Sequence, residues 1–172
     1  MKNIFLIVAI IAATALGVKA QGVGSAIKVV ANYENVSSIK DLLAIFNGKP
    51  VFVDMWASWC EPCKEEFKYS KTLYAELQKR NIEMLYISID KDPTDTAWKK
   101  DMESFSLSGN HIKANKALRD ELTTLIWGGI DAFSIPNYVL FDSDGNVLLK
   151  SAMTPDTGAA LLKQLDTVLA KK

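Results

Sequence analysis

Residues 51–64 read V-F-V-D-M-W-A-S-W-C-E-P-C-K, and this stretch decides the fold. Its first seven residues form a nearly continuous apolar run, which is typical of a strand covered on both faces, as in a parallel sheet. Pro62 stands where a helix can begin, because the first helical turn does not need its missing N–H. The stretch therefore predicts a buried strand that leads directly into a helix, with Cys60 and Cys63 at the junction.

The rest of the chain continues this alternation of strands and helices. Strands are predicted at residues 27–31, 51–57, 82–89, 137–142 and 147–150, and helices at residues 39–46, 62–80, 92–105, 116–127 and 155–172. Asp144-Gly145 between the last two apolar runs predicts a β-hairpin, whereas Ser108, Gly109 and Asn110 predict only the end of the preceding helix. This order predicts an α/β domain with a mixed central sheet flanked by helices.

Composition excludes several classes of protein. Of the 172 residues, 49% are hydrophobic, so the chain can bury a core and is not disordered, and its length fits one domain. Acidic and basic side chains balance at 20 each without a basic cluster, which disfavours nucleic acid as a partner. Two cysteines allow at most one bridge, which excludes a disulfide-rich scaffold.

The first twenty residues predict a secretory signal peptide. A positive start, an apolar core and small residues in the final V-K-A are typical of such a signal. The core is about 15 residues long, whereas a bilayer span takes roughly 20, so an uncleaved membrane anchor is the alternative. We therefore expect a signal at residues 1–20 and one domain at residues 21–172, exported to a compartment in which disulfides persist.

Cys60 and Cys63 carry the distinctive chemistry. Free N–H groups at the start of a helix favour a thiolate, and the two-residue spacer lets the two sulfurs close a disulfide. The outer sulfur can attack a substrate, and the inner sulfur can then resolve the mixed disulfide. The alternatives are an inert disulfide, a zinc site that lacks ligands, and copper capture together with His111. His111 itself is expected in a surface loop.

Three segments resemble the thioredoxins, and most closely their TlpA/ResA-type branch. These are W-C-E-P-C followed by K-E-E-F, the I-P segment at Pro136, and the strand–Asp-Gly–strand hairpin. The similarity follows the element order over residues 35–170, and it implies a thioredoxin-like fold with a helical insertion before the cis-proline strand. It also implies that Cys60 is the nucleophile and Cys63 the resolving thiol of a redox disulfide. Pro136 would be the cis-proline, and Ile135 would present its backbone to a peptide; an ordinary strand-entry proline is the alternative.

Asp54 and Glu61 are the further candidates for a catalytic role. Asp54 interrupts the apolar strand, and a buried carboxylate is costly unless it is paired or protonated. The resemblance places it behind the resolving cysteine, where a raised carboxyl pKa suits a general base. Tyr86 stands where thioredoxins often have a lysine, which removes a charge partner. Glu61 should oppose a Cys60 thiolate and Lys64 should favour it; a solvent-facing Glu61 without effect is the alternative.

The resulting hypothesis is an exported thiol-disulfide oxidoreductase of TlpA/ResA-like thioredoxin type, located in the periplasm or another extracytoplasmic compartment. Because Glu61 destabilises the thiolate, we expect the protein to reduce its substrates. The expected substrate contacts are Trp59, Pro62, Ile135 and Pro136. No cofactor or metal is expected, since the two cysteines carry the two electrons.

The expected partners are proteins with dithiols or disulfides and a membrane-bound electron donor. Nucleic acid is not expected, and a membrane is expected only if residues 1–20 stay attached. Two other functions remain open for the same fold. One is a copper-binding or copper-delivery module, and the other is a binding module without catalysis.

Overall fold

The apolar run at residues 51–57 forms the centre of a mixed sheet. The computed structural model describes residues 27–129 and 134–171, and the predicted signal at residues 1–20 lies outside them. The strands are β1 (Ile27–Val29), β2 (Val51–Trp56), β3 (Glu83–Ser88), β4 (Gly109–Lys113), β5 (Asn137–Phe141) and β6 (Val147–Leu149). Within the described residues the strands lie in the order β1-β4-β3-β2-β5-β6 across the sheet. The strands β1 to β4 run parallel to one another, and β5 is antiparallel to its neighbours β2 and β6.

Helices flank this sheet, as predicted. They are α1 (Ile39–Ala44), α2 (Glu61–Glu66), α3 (Ser70–Lys79), α4 (Thr96–Ser104), α5 (Lys116–Trp127) and α6 (Ala159–Leu169). The segment α4–β4–α5 occupies the place of the predicted helical insertion, although it contains a strand as well. In the part of the chain that the structure describes, no helix combines the length and the apolar character needed to cross a bilayer.

The strand β2 is buried along its whole length, because β3 and β5 pair with its two edges and other elements cover both faces. At its end, Trp56 packs edge-on against Phe67, with ring centroids 5.1 Å apart. Fully burying one large apolar side chain contributes about 1.5–3 kcal/mol. This contact therefore holds α2 and the turn after it against the end of β2.

The helix α4 ends before residues 108–110, as predicted, but the sequence analysis missed the strand that begins at Gly109, and its expectation of His111 in a surface loop is wrong. The strand β4 pairs with both β1 and β3, and His111 is fully buried. The sequence G-N-H-I-K has no strand pattern of its own, but neighbouring strands on both sides satisfy its backbone. Gly109 approaches β3 so closely that a Cβ would lie 3.1 Å from Met84 Cγ, which explains a glycine at this position.

Candidate active site

Cys60 and Cys63 form a disulfide at the start of α2. Their Cα atoms are 5.3 Å apart and their sulfur atoms are 2.05 Å apart. Cys60 is the N-cap of α2, and its Sγ accepts the backbone N–H of Cys63 at 3.2 Å. Pro62 lies in the first turn, as predicted. An N–H group directed at Cys60 Sγ favours negative charge on that sulfur once the disulfide opens.

The surface around this pair leaves a narrow approach to Cys60. Cys60 is 4% exposed and Cys63 is 0% exposed, so a partner can reach only the outer residue. Trp59, next to it, is 64% exposed, and Glu61 and Pro62 are exposed as well. A partner that approaches Cys60 therefore meets an aromatic side chain and the open first turn of α2.

Asp90 ties down the loop that precedes Cys60, and the sequence analysis did not single it out. This buried carboxylate accepts the backbone N–H of Ser58 at 2.9 Å and the Ser58 hydroxyl at 2.7 Å. The Ser88 hydroxyl donates to it at 2.7 Å. Ser58 follows β2 and Asp90 follows β3. The carboxyl ends of neighbouring parallel strands meet at one sheet edge, and this is the signal that could have identified Asp90.

Asp54 is buried in β2, as the apolar run predicts. It is 3% exposed, and its Oδ1 has no hydrogen-bond partner among the described residues. Burial raises the pKa of this carboxyl well above the ordinary 3.8, and the charge of Glu66 raises it further. Its cross-strand neighbours are Tyr86 on β3 and Tyr138 on β5. Neither tyrosine supplies a positive charge that would offset this rise in the pKa.

Glu66 is a second carboxyl group that the sequence analysis missed. Its own pKa is raised, chiefly by burial, although it accepts the backbone N–H of Asp156 at 3.0 Å. The side chain is half-buried, so it contacts solvent while its charge acts on the buried Asp54. Glu66 follows Cys63 by three residues, and side chains at this spacing share a helix face, which is the signal that could have identified it.

Glu61 and Lys64 form an ion pair at the surface of α2. Lys64 Nζ lies 3.1 Å from Glu61 Oε1 and 3.6 Å from Asp101 Oδ2 on α4. The hydrogen bond to Glu61 is the main cause of a raised pKa of Lys64. The Glu61 side chain is 79% exposed and faces solvent. Because Lys64 is shared between two carboxylates, it favours a Cys60 thiolate less than its sequence position alone indicates.

The Ile135–Pro136 peptide bond is cis, as the resemblance implies. It directly precedes β5, whose first residue Asn137 pairs with Met55 near the carboxyl end of β2. That end of β2 leads into the loop that carries Cys60. The antiparallel pairing therefore brings the cis-proline segment to the same sheet edge as the cysteines.

His111 lies in the core, where its own neighbours hold it. Its ring stacks on Tyr86 with centroids 4.7 Å apart, and its Nε2 lies 2.8 Å from the carbonyl oxygen of Leu107. Burial lowers the pKa of His111 to about 4. Among the described residues, no three His, Cys, Asp or Glu side chains form a group that could hold a metal ion. The ring nitrogen that contacts Leu107 is thus occupied within the chain.

The fold and the site together define a thioredoxin-like α/β domain with a Cys-x-x-Cys disulfide at the start of a helix. The thioredoxin domain of a thiol-disulfide oxidoreductase from Bacteroides vulgatus is similar in fold, with a TM-score of 0.56 at 23% identity over 73% of this chain and 82% of that one. A thiol-disulfide oxidoreductase from Bacteroides fragilis has a TM-score of 0.54 at 26% identity over 70% and 83%. The chain belongs to the Redoxin family, whose model matches residues 23–169.

Its curated relatives include thiol-disulfide oxidoreductases named ResA. The protein from Bacillus cereus is 33% identical over 112 residues, which are 65% of this chain and 57% of the relative. The protein from Bacillus thuringiensis subsp. konkukian is 30% identical over 122 residues, which are 70% of this chain and 65% of the relative. The chain thus spans about three fifths of the length of these relatives.

Proposed function

We propose that this protein is an exported thiol-disulfide oxidoreductase that reduces disulfides in protein substrates. The observation that carries the proposal is the Cys60–Cys63 disulfide at the start of α2, with the Cys63 N–H directed at Cys60 Sγ. Its relatives among the ResA proteins are named thiol-disulfide oxidoreductases, which supports the exchange chemistry. The N-terminal residues 1–20 support export, since their pattern is that of a secretory signal.

The reaction follows from the order of the two sulfurs. In the reduced protein the Cys60 thiolate attacks one sulfur of a substrate disulfide, so that a mixed disulfide forms and the departing substrate sulfur takes up a proton. Cys63 then loses its proton and attacks Cys60 Sγ. The Cys60–Cys63 bond forms, and the second substrate sulfur leaves as a thiol. Two electrons and two protons have then passed to the substrate, without a cofactor.

Asp54 is the proposed acceptor of the Cys63 proton. A raised pKa brings the proton exchange of this carboxyl closer to neutral pH, which suits a general base. Glu66 supports this role because its charge keeps the pKa of Asp54 raised and its side chain reaches solvent. The proposed path for the proton is therefore from Cys63 to Asp54, and from there past Glu66 to solvent.

The remaining candidates take proposed roles at the surface around Cys60. Trp59 and Pro62 would contact the substrate, because both are exposed beside Cys60. Ile135 would offer its backbone to a substrate strand, next to the cis bond before Pro136. Glu61 would act weakly on the Cys60 thiolate, since it is exposed and paired with Lys64.

The reducing direction rests on the charges near Cys60. Glu61 lies next to Cys60, and Lys64 is shared by two carboxylates. A thiolate that is little stabilised makes the dithiol a better reductant, since strongly oxidising relatives stabilise their reduced form. In an oxidising compartment a membrane-bound donor of electrons would then have to reduce the disulfide again.

The test is turnover of a protein disulfide together with a redox titration. With dithiothreitol as the electron source, the purified protein should accelerate the reduction of insulin, and Cys60→Ser should abolish this activity. The reduction potential should lie nearer the roughly −270 mV of thioredoxin than the roughly −120 mV of DsbA. A lack of turnover contradicts the proposed oxidoreductase activity. Turnover together with a reduction potential near that of DsbA contradicts only the proposed reducing direction.

A further inference from the structure

A cleft of about 660 Å³ opens directly beside the proposed nucleophile. Ser58 and Trp59, the two residues before Cys60, form one side of it, and residues 89–92 after β3 form another. Arg119 of α5 completes its lining. The cleft thus lies between the cysteine loop and the segment α4–β4–α5. Trp59 is the one lining residue to which a substrate contact was assigned above, and no substrate partner was assigned to the charged side chains of the cleft.

The carboxylates that line this cleft are already occupied by donors of the same chain. Asp90 accepts hydrogen bonds from the Ser58 backbone and from the hydroxyls of Ser58 and Ser88. Asp92 accepts the backbone N–H of Thr94 at 3.0 Å, and the Thr94 hydroxyl lies within hydrogen-bond distance of both of its oxygens. Both acidic groups are therefore engaged in holding the loops of the cleft.

The two cationic side chains that line the cleft, Lys91 and Arg119, are in contrast not paired with a carboxylate among the described residues. Lys91 is exposed and Arg119 is half-buried, and neither forms an ion pair with a carboxylate in the ranges that the structure describes. Arg119 uses one N–H to bind the carbonyl of Ala114 at 2.8 Å, which holds the guanidinium in place, and its other N–H groups have no hydrogen-bond partner among the described residues. A fixed guanidinium with open donors is suited to a carboxylate.

We infer that this cleft binds an acidic segment of the substrate protein, next to the cysteine that Cys60 attacks. The inference rests on the proposed function and adds a substrate class to it. An Asp or Glu side chain of the substrate would pair with Arg119 and Lys91, while Trp59 covers the apolar part of the segment. Such a contact orients the substrate sulfur toward Cys60 and discriminates against substrates without the charge.

The experiment compares two disulfide-bridged peptides that differ only in having Glu or Gln beside the reactive cysteine. The reduced protein should react faster with the Glu peptide, by about threefold to tenfold at low ionic strength, and salt should diminish this ratio. Arg119→Gln and Lys91→Gln should each bring the ratio toward one, whereas Arg119→Lys should keep part of it. Arg119→Gln also removes the hydrogen bond between Arg119 and the carbonyl of Ala114, whereas Lys91→Gln changes an exposed side chain and leaves that bond in place. Lys163→Gln, an exposed change on α6, should leave the ratio unaltered.

Equal rates with the two peptides overturn the inference, as does a preference that survives in both Arg119→Gln and Lys91→Gln. A small uncharged disulfide, measured in parallel, separates this failure from failure of the proposed function. If the protein reduces the small disulfide but shows no preference between the peptides, only the acidic substrate class is wrong. If it reduces none of the three, the oxidoreductase itself is wrong, and the inference falls with it.

Discussion

Asp54 brings a carboxyl group into the middle of β2, where burial and the charge of Glu66 raise its pKa above the ordinary 3.8. Below pH 3.8 the folded and unfolded chains both hold the proton. As the pH rises above this value, the unfolded chain releases the proton while the folded chain keeps it. Asp54 therefore lowers the free energy of unfolding progressively as the pH rises from 3.8 to the raised pKa of the folded state.

We expect Asp54→Asn to be more stable than the wild type at pH 8 and to show a smaller loss of stability between pH 5 and pH 8. The same variant lacks the proposed proton acceptor, so its turnover at pH 7 should fall by about tenfold or more. Urea unfolding at the two pH values and insulin reduction measure both effects. Asp120→Asn, an exposed change on α5, is the control. A variant that is less stable at pH 8 and fully active contradicts both roles of Asp54.

His111 titrates with the opposite sign. Its pKa falls from the ordinary 6.5 to about 4 in the folded chain, because burial penalises the charged ring. Above pH 6.5 both states are neutral, and as the pH falls toward 4 only the unfolded chain takes up the proton. The folded state therefore loses about 3 kcal/mol over this window.

The variant His111→Phe keeps an aromatic ring against Tyr86 but cannot titrate. Its absolute stability can change because the contact with Leu107 is lost, so the relevant quantity is the difference between two pH values. When the pH is lowered from 7 to 5, the free energy of unfolding of the wild type should decrease relative to that of His111→Phe. The same change in the free energy of unfolding in both proteins would show that His111 does not contribute to the pH dependence.

At the scale of elements, α4 acts on α2 through the contact between Asp101 and Lys64. Asp101→Asn leaves Lys64 with Glu61 alone and so makes the surroundings of Cys60 more positive. In the reduced protein, Cys60 should react about twofold faster with iodoacetamide at pH 7, and the reduction potential should rise by about 10 mV. Glu103→Gln, an exposed change on the same helix, is the control. The same increase in both variants indicates a general effect of net charge.

The elements also differ in how far the sequence predicts them. A continuous apolar run predicts β2, and Asp144-Gly145 predicts the hairpin, because in both cases the signal lies within the element itself. The strand β4 has no such signal, since its polar residues form a strand only when β1 and β3 satisfy its backbone. His111 was misplaced for the same reason.

At the scale of the whole molecule, the residues of the site likewise divide into those that the sequence predicts and those that only the tertiary structure brings together. Cys60, Pro62 and Cys63 could be predicted because their chemistry depends on neighbours in sequence and on the start of one helix. Asp101 could not be, because the packing of α4 against α2 brings it to the site. Asp90 could be identified only by way of the parallel pairing of β2 with β3, which places the carboxyl ends of both strands at one sheet edge. Local chemistry is therefore readable from the sequence, whereas the groups that tune it depend on tertiary structure.

The redox state of the Cys60–Cys63 pair is linked to the stability of the entire chain. If the folded protein holds its disulfide at a lower potential than the unfolded chain does, the oxidised form is the more stable one, by about 1.4 kcal/mol for each 30 mV. If this protein acts as a reductant, its oxidised form should therefore unfold at a higher Tm than its reduced form, by about 3 °C or more for a chain of this length. Thermal unfolding with and without dithiothreitol measures this difference, and the double variant Cys60→Ser/Cys63→Ser should show none. A reduced form that is more stable than the oxidised form is characteristic of an oxidant, and this result would reverse the proposed direction of electron transfer while leaving the exchange chemistry of the two sulfurs intact.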